Sequence, residues 1–215
     1  MKKVVTIVGA RPQFIKAATL SRQFQLSGIE ELIVHTGQHS DTNMSAVFFE
    51  EMEIPTPVYQ LDIHDLTHGA MTGRMLEGIE SILLKEKPDG VLVYGDTNST
   101  LAGALAAAKL QIPLIHAEAG LRSFNMSMPE EMNRVLTDRI SSLLLCPTDA
   151  AVKNLMREGF EHLTQATIIK NGDVMQDAFM YYAETAKLKS NILQKIQKRR
   201  FVLATVHRQE NTSNL

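Results

Sequence analysis

Residues 88–123 read PDGVLVYGDTNSTLAGALAAAKLQIPLIHAEAGLRS, and this stretch decides the fold class. An apolar run from Val91 to Tyr94 stops at Gly95 and Asp96, and an alanine-rich helical segment follows. A second apolar run then stops at His116 and Glu118. That is a strand, a helix and a strand. A carboxylate stands at each strand exit, and in an open parallel sheet ligands bind beyond the carboxyl ends of the strands.

The alternation continues in both directions. Val4 to Val8 is a β-branched run without polar alternation, as in a strand buried on both faces. Gly9 ends it, and Pro12 suits the first position of a helix running to about Leu26. Leu32 to Thr36 reads as the next strand, 44–52 as a short helix, Pro55 and Pro57 as an extended segment, and 67–86 as a long helix. Beyond the opening stretch, Pro129 starts a helix with Glu130 and Glu131 in its first turn, where acids complement the dipole. Leu143 to Cys146 and Thr167 to Ile169 read as strands flanking a helix at 150–158. Residues 177–198 read as helical, and Phe201 to Val206 as a fresh strand that the chain leaves incomplete. The pattern predicts an α/β protein with a doubly wound parallel sheet of Rossmann-like type.

Composition narrows the partners. Of 215 residues, 44% are apolar and 21% charged, which is ordinary globular usage. Lysine and arginine (22) nearly balance aspartate and glutamate (24), so no basic surplus points to nucleic acid or to an anionic membrane. The single Cys146 lies in an apolar run, which excludes an intrachain disulfide and fits a reducing compartment. The apolar part of the N-terminus is too short for a signal peptide. No segment approaches the ~20 apolar residues of a membrane helix. A soluble, cytoplasmic protein without nucleic-acid or membrane partners is expected.

Arg11 and Lys16 flank the N-terminal turn of the first helix, where cations are disfavoured by a few tenths of a kcal/mol to about 1 kcal/mol. A phosphate bound there would explain them, and so would plain solvation. The glycine spacing of a P-loop or dinucleotide fingerprint is missing, so a phosphate grip here is of another kind. Asp96 reads locally as a helix N-cap bonded to the amide of Asn98 or Ser99. Glu118 reads as an i,i+4 partner of Arg122, and Glu130 of Arg134. Taken together, three carboxylates converging on one crevice with two cations also form the kind of cluster that general acid and base chemistry uses. His35, His39, His64 and His68 lack metal-ligand spacing, so no metal is expected. His207 ends the last strand, apart from the preceding core.

The segments VGARPQFIK (8–16), GQH (37–39), YGDT (94–97), HAEAGLRS (116–123), PEEMNR (129–134), CPT (146–148) and HRQEN (207–211), in this order, resemble the non-hydrolysing UDP-N-acetylglucosamine 2-epimerases. The resemblance implies two Rossmann-like domains of the glycosyltransferase-B architecture with the active site between them. Residues 1–199 would be the N-terminal domain, and 200–215 the first strand and loop of the second. It implies a UDP-sugar substrate, no cofactor and a homodimer. Asp96, Glu118, Glu130 and His207 would be catalytic. Arg11 and Lys16 would meet the diphosphate, with Arg122, Arg134 and Arg208 also binding substrate. The family's reaction is an anti elimination of UDP to a 2-acetamidoglucal, then re-addition with inversion at C2, for surface polysaccharide precursors. In relatives the second domain carries the uridine pocket, so these 215 residues alone are expected to be inactive. The stretch QHSDTNMS (38–45) departs from the allosterically activated enzymes and is more similar to the branch handling diacetamido-dideoxy-glucuronic acid or N-acetylfucosamine nucleotides. Two other readings stand beside this one: a nucleotide-sugar glycosyltransferase of the same architecture, and an inactive binding half.

Overall fold

The computed structural model describes residues 2–38, 42–162, 166–196 and 201–204. One sheet holds β1 (Lys3–Val8), β2 (Glu30–His35), β3 (Tyr59–Gln60), β4 (Gly90–Tyr94), β5 (Leu114–Ala117), β6 (Leu143–Cys146) and β7 (Thr167–Lys170). Its order is β3-β2-β1-β4-β5-β6-β7, and every neighbouring pair is parallel. The helices are α1 (Arg11–Leu26), α2 (Thr42–Glu51), α3 (His68–Glu86), α4 (Asn98–Lys109), α5 (Pro129–Ile140), α6 (Asp149–Arg157), α7 (Val174–Lys189) and α8 (Ile192–Lys195), with a 3-10 turn at Phe160–His162. The chain winds outward from β1 to β3, crosses back to β4, and winds outward again to β7. The order therefore reverses between β1 and β4, the switch point where a doubly wound sheet opens a crevice.

The apolar runs become the buried middle of the sheet: Val5, Ile7, Val91, Val93 and Leu114 are fully buried against Met75, Ile79 and Leu83 of α3. Each such side chain contributes about 1.5–3 kcal/mol of burial. The alanine-rich α4 lies close on the strands because its sheet-facing residues are small. A Cβ at Gly103 would stand 3.0 Å from Ile7 and 3.1 Å from Val93. This packing fixes the N-terminus of α4 at the switch point.

The extended segment that Pro55 and Pro57 impose runs into a two-residue strand, β3, which pairs with Val34 and His35. Two expectations are corrected. The helix expected to run to 198 stops at Lys189, where the Ser190 hydroxyl takes the Ile192 amide (3.3 Å) before α8. Residues 201–204 form no strand, and Val202 and Leu203 are 94% and 86% exposed. A strand persists only where a neighbour takes its N–H and C=O groups, and no described residue pairs with them. The chain divides into two compact units, Met1–Phe179 and Met180–Leu215, with the division inside α7.

Candidate active site

The turn after β1 is held by one side chain. Gln13, in the first turn of α1, accepts from the amides of Gly9 (2.8 Å) and Ala10 (3.0 Å) through Oε1. Its Nε2 donates to the Tyr94 carbonyl (2.9 Å) and to the hydroxyls of Thr97 and Thr100 (3.0 Å each). Gln13 thus ties β1 to β4 across the switch point, and it consumes the two amides that a glycine-rich loop would turn toward a phosphate. An anion at this crevice must be met by side-chain cations. Gly9 admits the close approach of the neighbouring loops, since a Cβ there would lie 2.0 Å from Thr36 Oγ1 and 2.2 Å from Ser99 Oγ.

Beyond β4, Gly95 takes the left-handed conformation (φ +62°), and Thr97, not Asp96, caps α4. Thr97 Oγ1 accepts from the Thr100 amide (3.2 Å), and the Thr97 amide donates to Thr100 Oγ1 (3.1 Å). The N-cap reading of Asp96 is corrected accordingly. Freed from the cap, Asp96 pairs with Arg134 Nη2, and its carbonyl accepts from Asn133 Nδ2 (2.9 Å). Both partners stand on α5.

Beyond β5, Glu118 sits at φ +73°, costly for a residue with a Cβ by about 1–3 kcal/mol. Its carboxylate pairs with Lys16 of α1 rather than with Arg122. Lys16 is 7% exposed and Glu118 half-buried. The pair lies against Gly95, where a Cβ would stand 3.2 Å from Glu118 Oε2 and 3.4 Å from Lys16 Nζ. The left-handed φ favours glycine at 95, and a Cβ there would press lightly on this ion pair.

On α5 the acids divide. Glu130 is exposed, with no ion pair or hydrogen bond to a described residue. Glu131 is buried, and it accepts from the amides of Ser123 and Phe124 and from Arg134 Nη1 (2.8 Å). Burial works to raise its pKa, but the two amides and Arg134 outweigh that and hold it below the usual carboxylate value. Arg134 therefore joins Glu131 to Asp96, and the i,i+4 partnership with Glu130 does not form.

Arg122 is committed inside the protein. Its Nε and Nη2 donate to both oxygens of Glu158 (2.7 and 2.8 Å), and Nη1 donates to Asp138 Oδ2 (2.7 Å) and the Leu121 carbonyl (2.7 Å). Burial opposes its charge, yet the two acids keep its pKa above normal. Four of its five N–H groups are spent and the side chain is 1% exposed, so Arg122 is turned to the interior. Asp138 also meets His116, Nδ1 to Oδ1 at 2.6 Å, and both side chains are fully buried.

The structure thus gathers Asp96, Glu118, Lys16 and Arg134 at the ends of β4 and β5, with Arg11 exposed at the start of α1. His207 and Arg208 lie outside the described residues, as does His39. Among the described residues no cluster of three acids, histidines or cysteines is placed to hold a metal, and no helix is long and apolar enough to cross a membrane. Burial pushes the Cys146 thiol up to about 11, which leaves it a packing residue. The sequence reading missed Gln13, Glu131, His116 and Asp138. Two signals pointed to the last two: a histidine inside an apolar strand needs a partner, and an acid in the last turn of a helix opposes the dipole.

Comparison with known proteins gives this geometry a family. Residues 22–215 match the family model for UDP-N-acetylglucosamine 2-epimerase. The UDP-2,3-diacetamido-2,3-dideoxy-D-glucuronate 2-epimerase of Pseudomonas aeruginosa is 58% identical over 213 residues, 99% of this chain and 59% of the relative. The UDP-N-acetylglucosamine 2-epimerase of Methanocaldococcus jannaschii is 46% identical over 216 residues, 99% of this chain and 58% of the relative. A crystal structure of the M. jannaschii UDP-GlcNAc 2-epimerase, in complex with UDP-GlcNAc and UDP, superposes with a TM-score of 0.84 at 47% identity, covering 91% of this chain and 53% of that one. The chain thus spans under three-fifths of the length of these relatives, and its sheet is the N-terminal half of a glycosyltransferase-B type architecture. With the family model matched over residues 22–215 and a 46% identical relative matched over 99% of this chain, the chain belongs to the UDP-N-acetylglucosamine 2-epimerase family.

Proposed function

We propose that this chain, within the whole protein, supplies the acid and base groups of a UDP-2-acetamido-sugar 2-epimerase. The observation that carries the reading is the pair of carboxylates, Asp96 and Glu118, on the exits of neighbouring strands, each held by a cation from a helix. Inversion at C2 needs two such groups. A lone base that returned its own proton to the face it came from would regenerate the starting sugar.

In the elimination, a carboxylate takes the C2 proton and the C2–H electrons form the C1=C2 bond. The C1–O bond breaks, and its electron pair leaves on the diphosphate of UDP. Re-addition reverses these steps, with the proton delivered to the opposite face of C2. Asp96, Glu118, Glu130 and His207 are the proposed acid and base residues. Arg11 and Lys16 stabilise the departing diphosphate, a task that falls to side chains because Gln13 occupies the Gly9 and Ala10 amides. Arg134 and Arg208 complete the substrate contacts, whereas Arg122 acts from inside. Residues 200–215 open the second Rossmann-like domain, and the enzyme is a cytoplasmic homodimer.

A second reading concerns the sugar. Identity to the P. aeruginosa enzyme (58%) exceeds that to the M. jannaschii enzyme (46%), which supports a 2,3-diacetamido-2,3-dideoxyglucuronate nucleotide over UDP-N-acetylglucosamine. Incubating the full-length protein with each nucleotide in heavy water tests both points. Deuterium should appear at C2, fastest for the diacetamido uronate. Incorporation into neither nucleotide would overturn the epimerase reading, and faster exchange of UDP-N-acetylglucosamine would overturn the preference.

A further inference from the structure

Both turns that carry the site carboxylates are fastened to one buried pair. His116 Nε2 lies 2.7 Å from the Gly95 carbonyl, in the turn that delivers Asp96. A carbonyl oxygen only accepts, so Nε2 carries a hydrogen. His116 Nδ1 lies 2.6 Å from Asp138 Oδ1. The other oxygen, Oδ2, accepts from the Gly120 amide (3.1 Å), in the turn that follows Glu118, and from Arg122 Nη1. The Gly120 amide and Arg122 can only donate, and they hold Asp138 in its ionised form, so His116 Nδ1 donates to Oδ1 as Nε2 does to the Gly95 carbonyl.

We propose that the His116–Asp138 pair is a positioning latch for Asp96 and Glu118. The imidazolium draws the Gly95 carbonyl inward and the carboxylate draws the Gly120 amide inward. Gly95 (φ +62°) and Gly120 (φ +78°) take the left-handed conformation freely, whereas Glu118 between them (φ +73°) is strained and needs such a hold. The Asp138 end is anchored in turn by Arg122, which reaches out to the partly exposed Glu158. None of the four side chains of this chain of charges is itself proposed to touch the sugar. The inference rests on the epimerase reading for its kinetic effect but not for its geometry.

Two substitutions separate the ends of the latch. His116→Gln keeps a donor near Nε2 and so keeps the Gly95 bond; His116→Asn keeps a donor near Nδ1 and so keeps only the Asp138 bond. In the full-length enzyme, His116→Asn should lower kcat on the order of 100-fold with KM within about twofold, the cost of a misplaced catalytic group. His116→Gln should retain kcat within about tenfold. Equal kcat losses in the two variants, or losses that follow their melting temperatures, would make the pair merely structural and overturn the proposal. Nitrogen-15 NMR of the unmodified protein tests the latch whether or not epimerase activity is found. Both imidazole nitrogens of His116 should be protonated at pH 7, and a neutral His116 would overturn the latch even in an active enzyme.

Discussion

Two acids that pack against the same sheet, Asp138 of α5 and Glu31 of β2, respond to burial in opposite ways. Asp138, behind β5, has His116, Arg122 and the Gly120 amide as donors, and its pKa is lowered although burial alone would raise it. Glu31, on β2, receives the Thr6 hydroxyl (Oγ1 at 2.5 Å), and the Ser21 hydroxyl also favours its charged form; yet its Oε2 makes no hydrogen bond of normal length to a described residue, and burial pushes its pKa up. Burial works to raise the pKa of both acids; the supply of donors differs. Beneath the candidate site the chain invests in full satisfaction of a charge, whereas under α1 it tolerates a half-satisfied acid.

The largest effect should come from breaking the satisfied side. Asp138→Ala leaves His116 and Arg122 as buried cations without their shared counter-ion, and it should cost about 3–5 kcal/mol in urea unfolding. A loss near 1 kcal/mol would mean that Asp138 resembles Glu31 more than its partners suggest. The wild-type pH dependence carries the same sign. Because the folded pKa of Asp138 is depressed, its stabilisation is fully present above its unfolded value of about 3.9. It is lost as pH falls through the folded value, and Asp138→Asn should remove that loss.

Next comes the neutral counterpart of the latch. Gln13 fastens the β1 turn with five hydrogen bonds and no charge. Gln13→Ala strands the Gly9 and Ala10 amides and should cost about 2–4 kcal/mol. Gln13→Glu keeps the two accepted bonds but puts an acid before the Tyr94 carbonyl. If Glu is tolerated better than Ala, the accepting side of Gln13 holds the turn; the reverse order assigns the hold to its amide donors.

The strands and helices could be read because apolar runs and helix breakers are local signals, and β1, β4, β5 and β6 lie where the runs predict them. The doubly wound sheet followed from their alternation. The carboxylates at the exits of β4 and β5 were also visible, since a strand end is itself a local feature. Their partners were not. Glu118 has Arg122 one helical turn away in sequence, but the fold brings Lys16 from α1 instead. Asp96 has a free α4 terminus beside it, yet Thr97 and Thr100 cap that helix between themselves, and Arg134 takes the carboxylate. Local pairing rules rank neighbours along the chain, and at a switch point the neighbours that matter come from other strands and helices. Phe201 is the opposite case, where a local apolar signal was clear and the pairing that would make it a strand is missing among the described residues.

The smallest effect should come from Glu31, and it carries the opposite sign. Its folded pKa is raised above the unfolded value of about 4.3, so between the two values the folded protein binds more protons and stability falls as pH rises. Above the folded pKa the penalty is constant, because the unsatisfied carboxylate is then charged in a buried place. Glu31→Gln keeps an acceptor for Thr6 and removes the charge. It should therefore stabilise the protein at pH 7–8 on the order of 1 kcal/mol. The gain should shrink toward zero as pH falls below about 4.3, where the wild-type carboxyl is neutral folded and unfolded alike. A pH-independent gain would assign the effect to packing and not to charge. A loss at pH 7 would mean that Oε2 has a partner, so that Glu31, like Asp138, is a satisfied acid.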